Sequence, residues 1–305
     1  MKRYRAILVL TAVLVILLPT LFFVFLVPKE PVYEGRPISQ WLEQMSGPVG
    51  GSAGAVSSQA LPKLVQREPG EEAVPALRSV LRRGRTLGSR LYARFYPKLP
   101  PVLMRKLPVP NPGRDAELRY RGALILYYIG PKAKTALADL IYALSDQSAE
   151  VRRVAATAIG AVDANSPRAA SALSTALSDP APGVRKAVVK ALGQTTRDRS
   201  SASFEIAAAL KDTDPSVRVE AALMLKNFGP GAKGVVPALI QALRDTDQDV
   251  VLFAAQALGK IGPAAHDAAP ALQESLRNAG PNTETTLRWA LNQVTIKSVS
   301  QSRHP

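Results

Sequence analysis

Charged side chains recur along this chain at a fixed interval. Asp146, Asp179, Asp212 and Asp245 lie 33 residues apart, and Arg119, Arg152, Arg185 and Arg218 keep the same interval. A file of carboxylates could act as a catalytic acid row, but such a row needs a base or a nucleophile beside it. Candidates are scarce. The two histidines are His266, within GPAAHDAAP, and His304, near the C-terminus. Ser200 and Ser201 have no base at a recognisable spacing, and no H-E-x-x-H, phosphate-binding loop or G-x-S-x-G sequence occurs. The chain has no cysteine, which excludes disulfides, thiolate metal sites and a cysteine nucleophile. The expectation is a protein that is not an enzyme and that has no catalytic, cofactor-binding or metal-binding residues.

A second charged feature is local. RRGRTLGSRLYARFYPKLPPVLMRKLPVPNPGR, from Arg82 to Arg114, holds nine basic residues and no acidic one. The chain of 305 residues has a net charge of +15, of which +10 falls between Ala73 and Arg114. The protein is therefore basic in one place rather than throughout. Arg82, Arg83, Arg85, Arg90, Arg94, Lys98, Arg105 and Lys106 are the candidates for contact with an anionic surface.

At the N-terminus, Ala6 to Val27 (AILVLTAVLVILLPTLFFVFLV) is a run of 22 residues without a charge. As a helix it would span roughly 33 Å, against a hydrocarbon core of about 30 Å. Pro19 is tolerable there. A cleaved signal peptide has a shorter apolar core and ends in small residues. Here the run leads into Val27-Pro28-Lys29-Glu30 with no such site, so an uncleaved signal anchor is expected. Lys2, Arg3 and Arg5 precede the run and Lys29 alone closely follows it, which places residues 1–5 in the cytoplasm. Everything after residue 27 is then extracytoplasmic, and periplasmic in a Gram-negative cell.

These charged residues must be positioned by helices. Residues 28–56 read as a linker with a short amphipathic helix at 38–45 and a flexible break at 46–54. Beyond it, Leu118-Arg119, Val151-Arg152, Val184-Arg185, Val217-Arg218 and Val250-Val251 mark five turns of one 33-residue period. Each period holds a first helix such as SVRVEAALMLKNF (helix A), a Gly/Pro turn, and a second helix such as VVPALIQAL (helix B). Pro182 and Pro215 suit a first helical position, and Asp214 suits a cap. Neither helix can bury its apolar stripe alone, so stacking is required.

DTDPSVRVEAALMLKNFGPGAKGVVPALIQALRD resembles a HEAT repeat, of the short type also found in phycobilisome-lyase-like repeat proteins. With YEGRPISQWLEQM, the chain is similar to membrane-anchored bacterial HEAT proteins. The resemblance implies an all-α fold: an α-solenoid of about six helix pairs at 57–294, preceded by one transmembrane helix. It implies that the four aspartates order the inter-repeat turns and that the four arginines bond to those turns. It also implies a scaffold that binds protein partners on its concave helix B face. A chromophore-handling protein of the bilin-lyase kind, or a base-excising enzyme, follows from fold analogy alone. Val251 replaces the last arginine, so the ladder should weaken there. TLRWALNQV is expected as a C-terminal capping helix at 283–294 with Trp289 covering the last repeat, and residues 295–305 as a flexible tail.

The same period places the basic block. EEAVPALRSVL (Glu71–Leu81) reads as the helix B of a first repeat whose degenerate helix A is 60–66. Leu81 precedes Leu118-Arg119 by 37 residues instead of seven, so 82–113 holds a 30-residue insertion. Inside it, Leu87, Leu91, Tyr92, Phe95 and Tyr96 are expected to form one apolar face, with the arginines elsewhere. That face would cap the first repeat. The arginines would be solvated, or would meet anionic lipid, an acidic partner or an acidic polymer. Nucleic acid is disfavoured, because the expected side of the membrane lacks it.

Overall fold

The computed structural model describes residues 30–43, 71–105, 107–194 and 199–296. The expected membrane segment at 6–27, the degenerate helix A at 60–66, the break at 46–54, Lys106 and the tail beyond 296 lie outside the described residues. Among the described residues, no helix is long and apolar enough to cross a membrane. The chain divides into two compact units, residues 1–126 and 127–305.

The first unit opens with an antiparallel pair, β1 (Val32–Tyr33) and β2 (Arg36–Pro37), turning through Glu34 and Gly35 at positive φ. Helix α1 (Ile38–Glu43) follows and buries Ile38 and Leu42 completely. Trp41 Nε1 donates to Tyr33 O at 3.1 Å. Then come α2 (Val74–Leu81), α3 (Leu87–Phe95), the short α4 (Pro101–Met104) and α5 (Pro112–Ile129). Gly122 of α5 lets Val80 of α2 approach, since a Cβ there would lie 3.2 Å from Val80 Cγ1. Residues 30–43 are not the spacer the sequence suggested. Arg121 Nη1 donates to Leu42 O at 2.7 Å, and Arg114 grips Glu43 Oε1 at 2.6 Å. Two buried aliphatic side chains and these bonds hold the segment on the repeat.

The second unit is a run of helices. Helix B elements are α6 (Leu137–Ala143), α8 (Pro167–Ala176), α10 (Arg199–Ala208), α12 (Val236–Ala242) and α14 (Ala269–Arg277). Helix A elements are α7 (Ala149–Asp163), α9 (Pro182–Leu192), α11 (Pro215–Phe228), α13 (Gln248–Ile261) and α15 (Pro281–Thr295). Consecutive A helices pack on one another, and each B helix packs on the A helix that follows it. Alanine permits this spacing: Ala155, Ala156, Ala158, Ala221, Ala222, Ala254, Ala255 and Ala257 are fully buried. The caps are local: Asp214 accepts from Ser216 N, and Asp247 from Asp249 N, both at 2.9 Å.

The last helix, α15, buries Leu287, Ala290 and Val294. The Trp289 ring lies against Gly259, where no Cβ would fit. Three of the A-to-B turns are helical in the 3-10 sense, at Gly130–Ala136, Gly229–Val235 and Gly262–Ala268, and each starts on a glycine at positive φ. At Gly229 the angles are φ 54° and ψ −126°, a conformation that side chains with a Cβ avoid. Gly229→Ala is therefore expected to cost about 1–3 kcal/mol. Gly280→Ala should cost less, because nothing stands within 4 Å of that site and its φ is −78°, so only the advantage of glycine over alanine as the N-cap of α15 is lost. Thermal melts followed by circular dichroism compare the two.

Candidate functional site

The charged files resolve into a chain of bidentate bonds. Arg152 Nε and Nη2 donate to the Asp179 carboxylate at 2.6 and 2.9 Å, while its Nη1 donates to Asp146 O at 2.8 Å. Arg185 does the same with the Asp212 carboxylate, at 2.7 and 2.7 Å, and with Asp179 O at 2.9 Å. Arg218 repeats it with the Asp245 carboxylate, at 2.7 and 2.9 Å, and with Asp212 O at 3.0 Å. Each arginine thus joins the turn before its helix A to the turn one repeat later. Each aspartate also accepts a backbone N–H two residues on: Ser148 for Asp146, Ala181 for Asp179, Asp214 for Asp212 and Asp247 for Asp245. The side chains of all three pairs are largely withdrawn from water. The carboxylates are spent on turn geometry, which leaves little in them for acid–base work.

The bond from Arg185 holds the Asp212 carboxyl below the usual carboxylate range, against burial that would raise it. For Asp179 and Asp245, burial is the largest influence and would raise the pKa. The arginine and backbone N–H donors together outweigh it, and both end up lowered. The same bonds push Arg152, Arg185 and Arg218 up. At the far end, Val251 stands where the next arginine would be, and Asn278 stands 27 residues on, where its carboxylate would be.

Arg119 makes the corresponding bond in the first unit. It is buried, and its Nη1 donates to Arg83 O at 2.8 Å. Arg152 reaches back six residues to its carbonyl and Arg119 reaches back 36. The difference is the 30 inserted residues, so the insertion proper is 84–113 and Arg83 occupies the ladder-aspartate position. Arg83 cannot accept an N–H, and instead its Nε donates to Asp115 Oδ1 at 2.7 Å, with Nη1 3.5 Å from Glu30 Oε1. Asp115 and Glu30 were not singled out from sequence. Counting back by the period finds Arg83 in an acidic position, and that substitution calls for an acidic partner.

The insertion does not present the single apolar face expected of it. Tyr92 and Tyr96 are buried, and their hydroxyls donate to Pro108 O at 2.5 Å and Met104 O at 3.0 Å. Leu87 and Phe95 are exposed. The cause lies in the return segment, where Pro108, Pro110 and Pro112 carry no N–H and regular pairing fails. Tyrosine hydroxyls satisfy carbonyls there, and a leucine or phenylalanine cannot. Among the basic candidates, Arg82, Arg90, Arg94, Lys98 and Arg105 are exposed, Arg83 and Arg85 are half-buried, and Lys106 lies outside the described residues. Thr86 caps α3 by accepting from Ser89 N at 3.2 Å. His266 sits in its exposed turn, with Nδ1 3.3 Å from Pro263 O and Nε2 3.1 Å from Asp267 Oδ1.

Stacked A and B helices joined by a repeating arginine–aspartate bond define a helical-repeat scaffold. A family model described as HEAT repeats matches residues 137–205 and 203–292, together just over half of the chain. The chain belongs to the HEAT-repeat family. Comparison with curated proteins finds no match. Among solved structures, an engineered protein is 21% identical with a TM-score of 0.44, over 72% of this chain and 96% of that one. A designed armadillo repeat protein in complex with the peptide (KR)4 is 20% identical with a TM-score of 0.46, over 60% and 95%. Computationally designed armadillo repeat proteins for modular peptide recognition are 19% identical with a TM-score of 0.46, over 60% and 94%.

Because the Asp179, Asp212 and Asp245 carboxyls have pKa values below the unfolded value of about 3.9, their contribution is complete above that pH. It is lost as pH falls through the lower folded value. Asp212→Asn should therefore destabilise the protein by about 2 kcal/mol at neutral pH. The gap in melting temperature between wild type and variant should close below about pH 4. Paired thermal melts across pH measure this.

Proposed function

We propose that this protein is a non-enzymatic scaffold, held to a membrane by residues 6–27, that binds a protein partner along the helix B row of its second unit. The observation that carries the reading is the composition of that row. Tyr142 of α6 and Phe204 of α10 are 41% and 58% exposed. Counting by the repeat, they fall one helical turn apart on the same stripe. Between α6 and α8 runs an open groove of about 360 Å³, lined by Ile141, Leu144, Ala172, Thr175 and Ala176 among others. Exposed aromatic side chains and a shallow groove on the same row of helices suit protein recognition, in which a few such anchors carry most of the affinity. HEAT-repeat membership supports the same reading, as does a carboxylate file committed to turn geometry.

The anchor reading is supported by the uncharged run of 22 residues and the basic residues before it. It puts the repeats on the extracytoplasmic side. Because the chain has no cysteine, Lys190→Cys gives one reporter on the exposed surface of α9. A membrane-impermeant maleimide should label it in intact cells as fully as in lysed ones; labelling only after lysis would refute the topology.

For the partner face, a photo-crosslinking residue in place of Phe204 should capture one reproducible protein in native membranes, and the same residue in place of Lys190 should not. Phe204→Ala with Tyr142→Ala should then weaken binding of that purified protein by about tenfold or more. Unchanged binding would remove this row as the recognition surface.

A further inference from the structure

Among the described residues, the three most exposed large apolar side chains belong to the single excursion at 84–113, Leu87 at 74%, Val109 at 71% and Val102 at 69%, and Phe95 there is exposed at 42%. Among them stand Arg90, Arg94, Lys98 and Arg105, all exposed, in a stretch with no acidic residue from Ala73 to Arg114. Lys98 Nζ lies 5.8 Å from the Phe95 ring centroid, so charge and aromatic ring share one surface. In α3, Leu87, Arg90, Leu91 and Arg94 fall at i, i+3, i+4 and i+7, a single stripe. Tyr92 lies on the opposite side and is buried. On that stripe Leu87, Arg90 and Arg94 are exposed and Leu91 is half-buried, so the outward face mixes leucine with arginine. Such a face is too charged for a core and too apolar for water alone. It fits a boundary where apolar tips enter a hydrocarbon edge and guanidinium groups stay level with anionic headgroups.

The attachment of the excursion names the boundary. The Glu30 carboxylate accepts the Ser39 N–H at 3.0 Å and lies 3.5 Å from Arg83 Nη1, at the root of the excursion. Three residue steps separate Glu30 from Val27, the last residue of the uncharged run. Fully extended, they reach at most about 11 Å. If residues 6–27 occupy a bilayer, the Glu30 backbone lies within about that distance of its surface, and its carboxylate holds the Arg83 guanidinium, which keeps the root of the excursion near the bilayer.

We propose that residues 84–113 form a membrane-interface device. Leu87, Phe95 and Val102 enter the boundary between headgroups and acyl chains of an anionic bilayer, and Arg90, Arg94, Lys98 and Arg105 pair with lipid phosphates. The proposal rests on the reading of residues 6–27 as an anchor, which supplies the local bilayer. Each basic residue near such a surface changes the docked-to-free ratio by about fivefold.

The test uses the full-length chain carrying Val102→Cys or, as a control, Lys190→Cys, each labelled with an environment-sensitive fluorophore. Both proteins are reconstituted into phosphatidylcholine vesicles with and without phosphatidylglycerol. The label at position 102 should shift to the blue and be quenched by nitroxide lipids in the anionic vesicles only, and the label at position 190 in neither. Adding Arg90→Gln and Arg94→Gln should lower the docked-to-free ratio by about 25-fold. A label at position 102 that stays in water in both vesicles, or is buried equally in both, overturns the proposal. So does protection that needs an added acidic protein instead of lipid. Carbonate extraction separates the two readings. Protein released by carbonate refutes the anchor and the interface device with it, whereas protein retained by the vesicles with a water-exposed label refutes the device alone.

Discussion

One bond organises the repeats: a helix A arginine held between two successive turns. Its Nε and Nη2 engage a carboxylate 27 residues ahead, and its Nη1 engages a carbonyl six residues behind. A helix pair of this kind has an apolar stripe but no core of its own, so its position is defined only relative to its neighbours. Dispersion and burial bring alanine-rich helices together without strongly fixing how far one slides on the next. The planar guanidinium fork supplies the missing direction, because it accepts only one geometry at each end. Each aspartate also ties the first N–H groups of its own turn, so the same group shapes the turn and receives the tether.

Much of this was legible in the sequence, for a reason particular to repeats. A period repeated four times lifts Asp146, Asp179, Asp212 and Asp245 out of an otherwise ordinary distribution of charge. What the period does not carry is direction. That Arg152 reaches forward to Asp179 with its carboxylate-binding edge, and back to the backbone of Asp146, depends on how one helix pair sits on the next. Hydrophobicity likewise misassigned the face of α3. It grouped Leu87 and Phe95 with Tyr92 and Tyr96, yet only the tyrosines can satisfy the carbonyls of Met104 and Pro108 in a return segment poor in N–H donors. The hairpin at residues 32–37 escaped for a simpler reason: two-residue strands have no periodicity to read, and only the Glu34-Gly35 turn marks them.

The insertion shows how a repeat protein accepts foreign chain. The 30 added residues leave and re-enter so that Arg119 still finds a carbonyl in the place its relatives find theirs. The aspartate there has become Arg83, and its charge is met by Asp115 and Glu30. The excursion is internally closed by its two tyrosine hydroxyls, while Leu87, Arg90 and Arg94 stay exposed. A segment so held at its root carries a surface of its own, unlike that of the helices on either side.

Val251 and Asn278 replace an arginine and its aspartate together, and the count of 27 pairs Arg83 with Val56 at the opposite end of the ladder. Among the described residues, the arginine–aspartate link therefore runs no further than Arg218 and Asp245, and the row continues with the Trp289 ring seated over Gly259. A ring resting on a glycine fixes how closely two helices approach, but it has no fork to fix their direction. The final helix pair is thus held by shape, where the earlier ones are held by shape and by a directed bond.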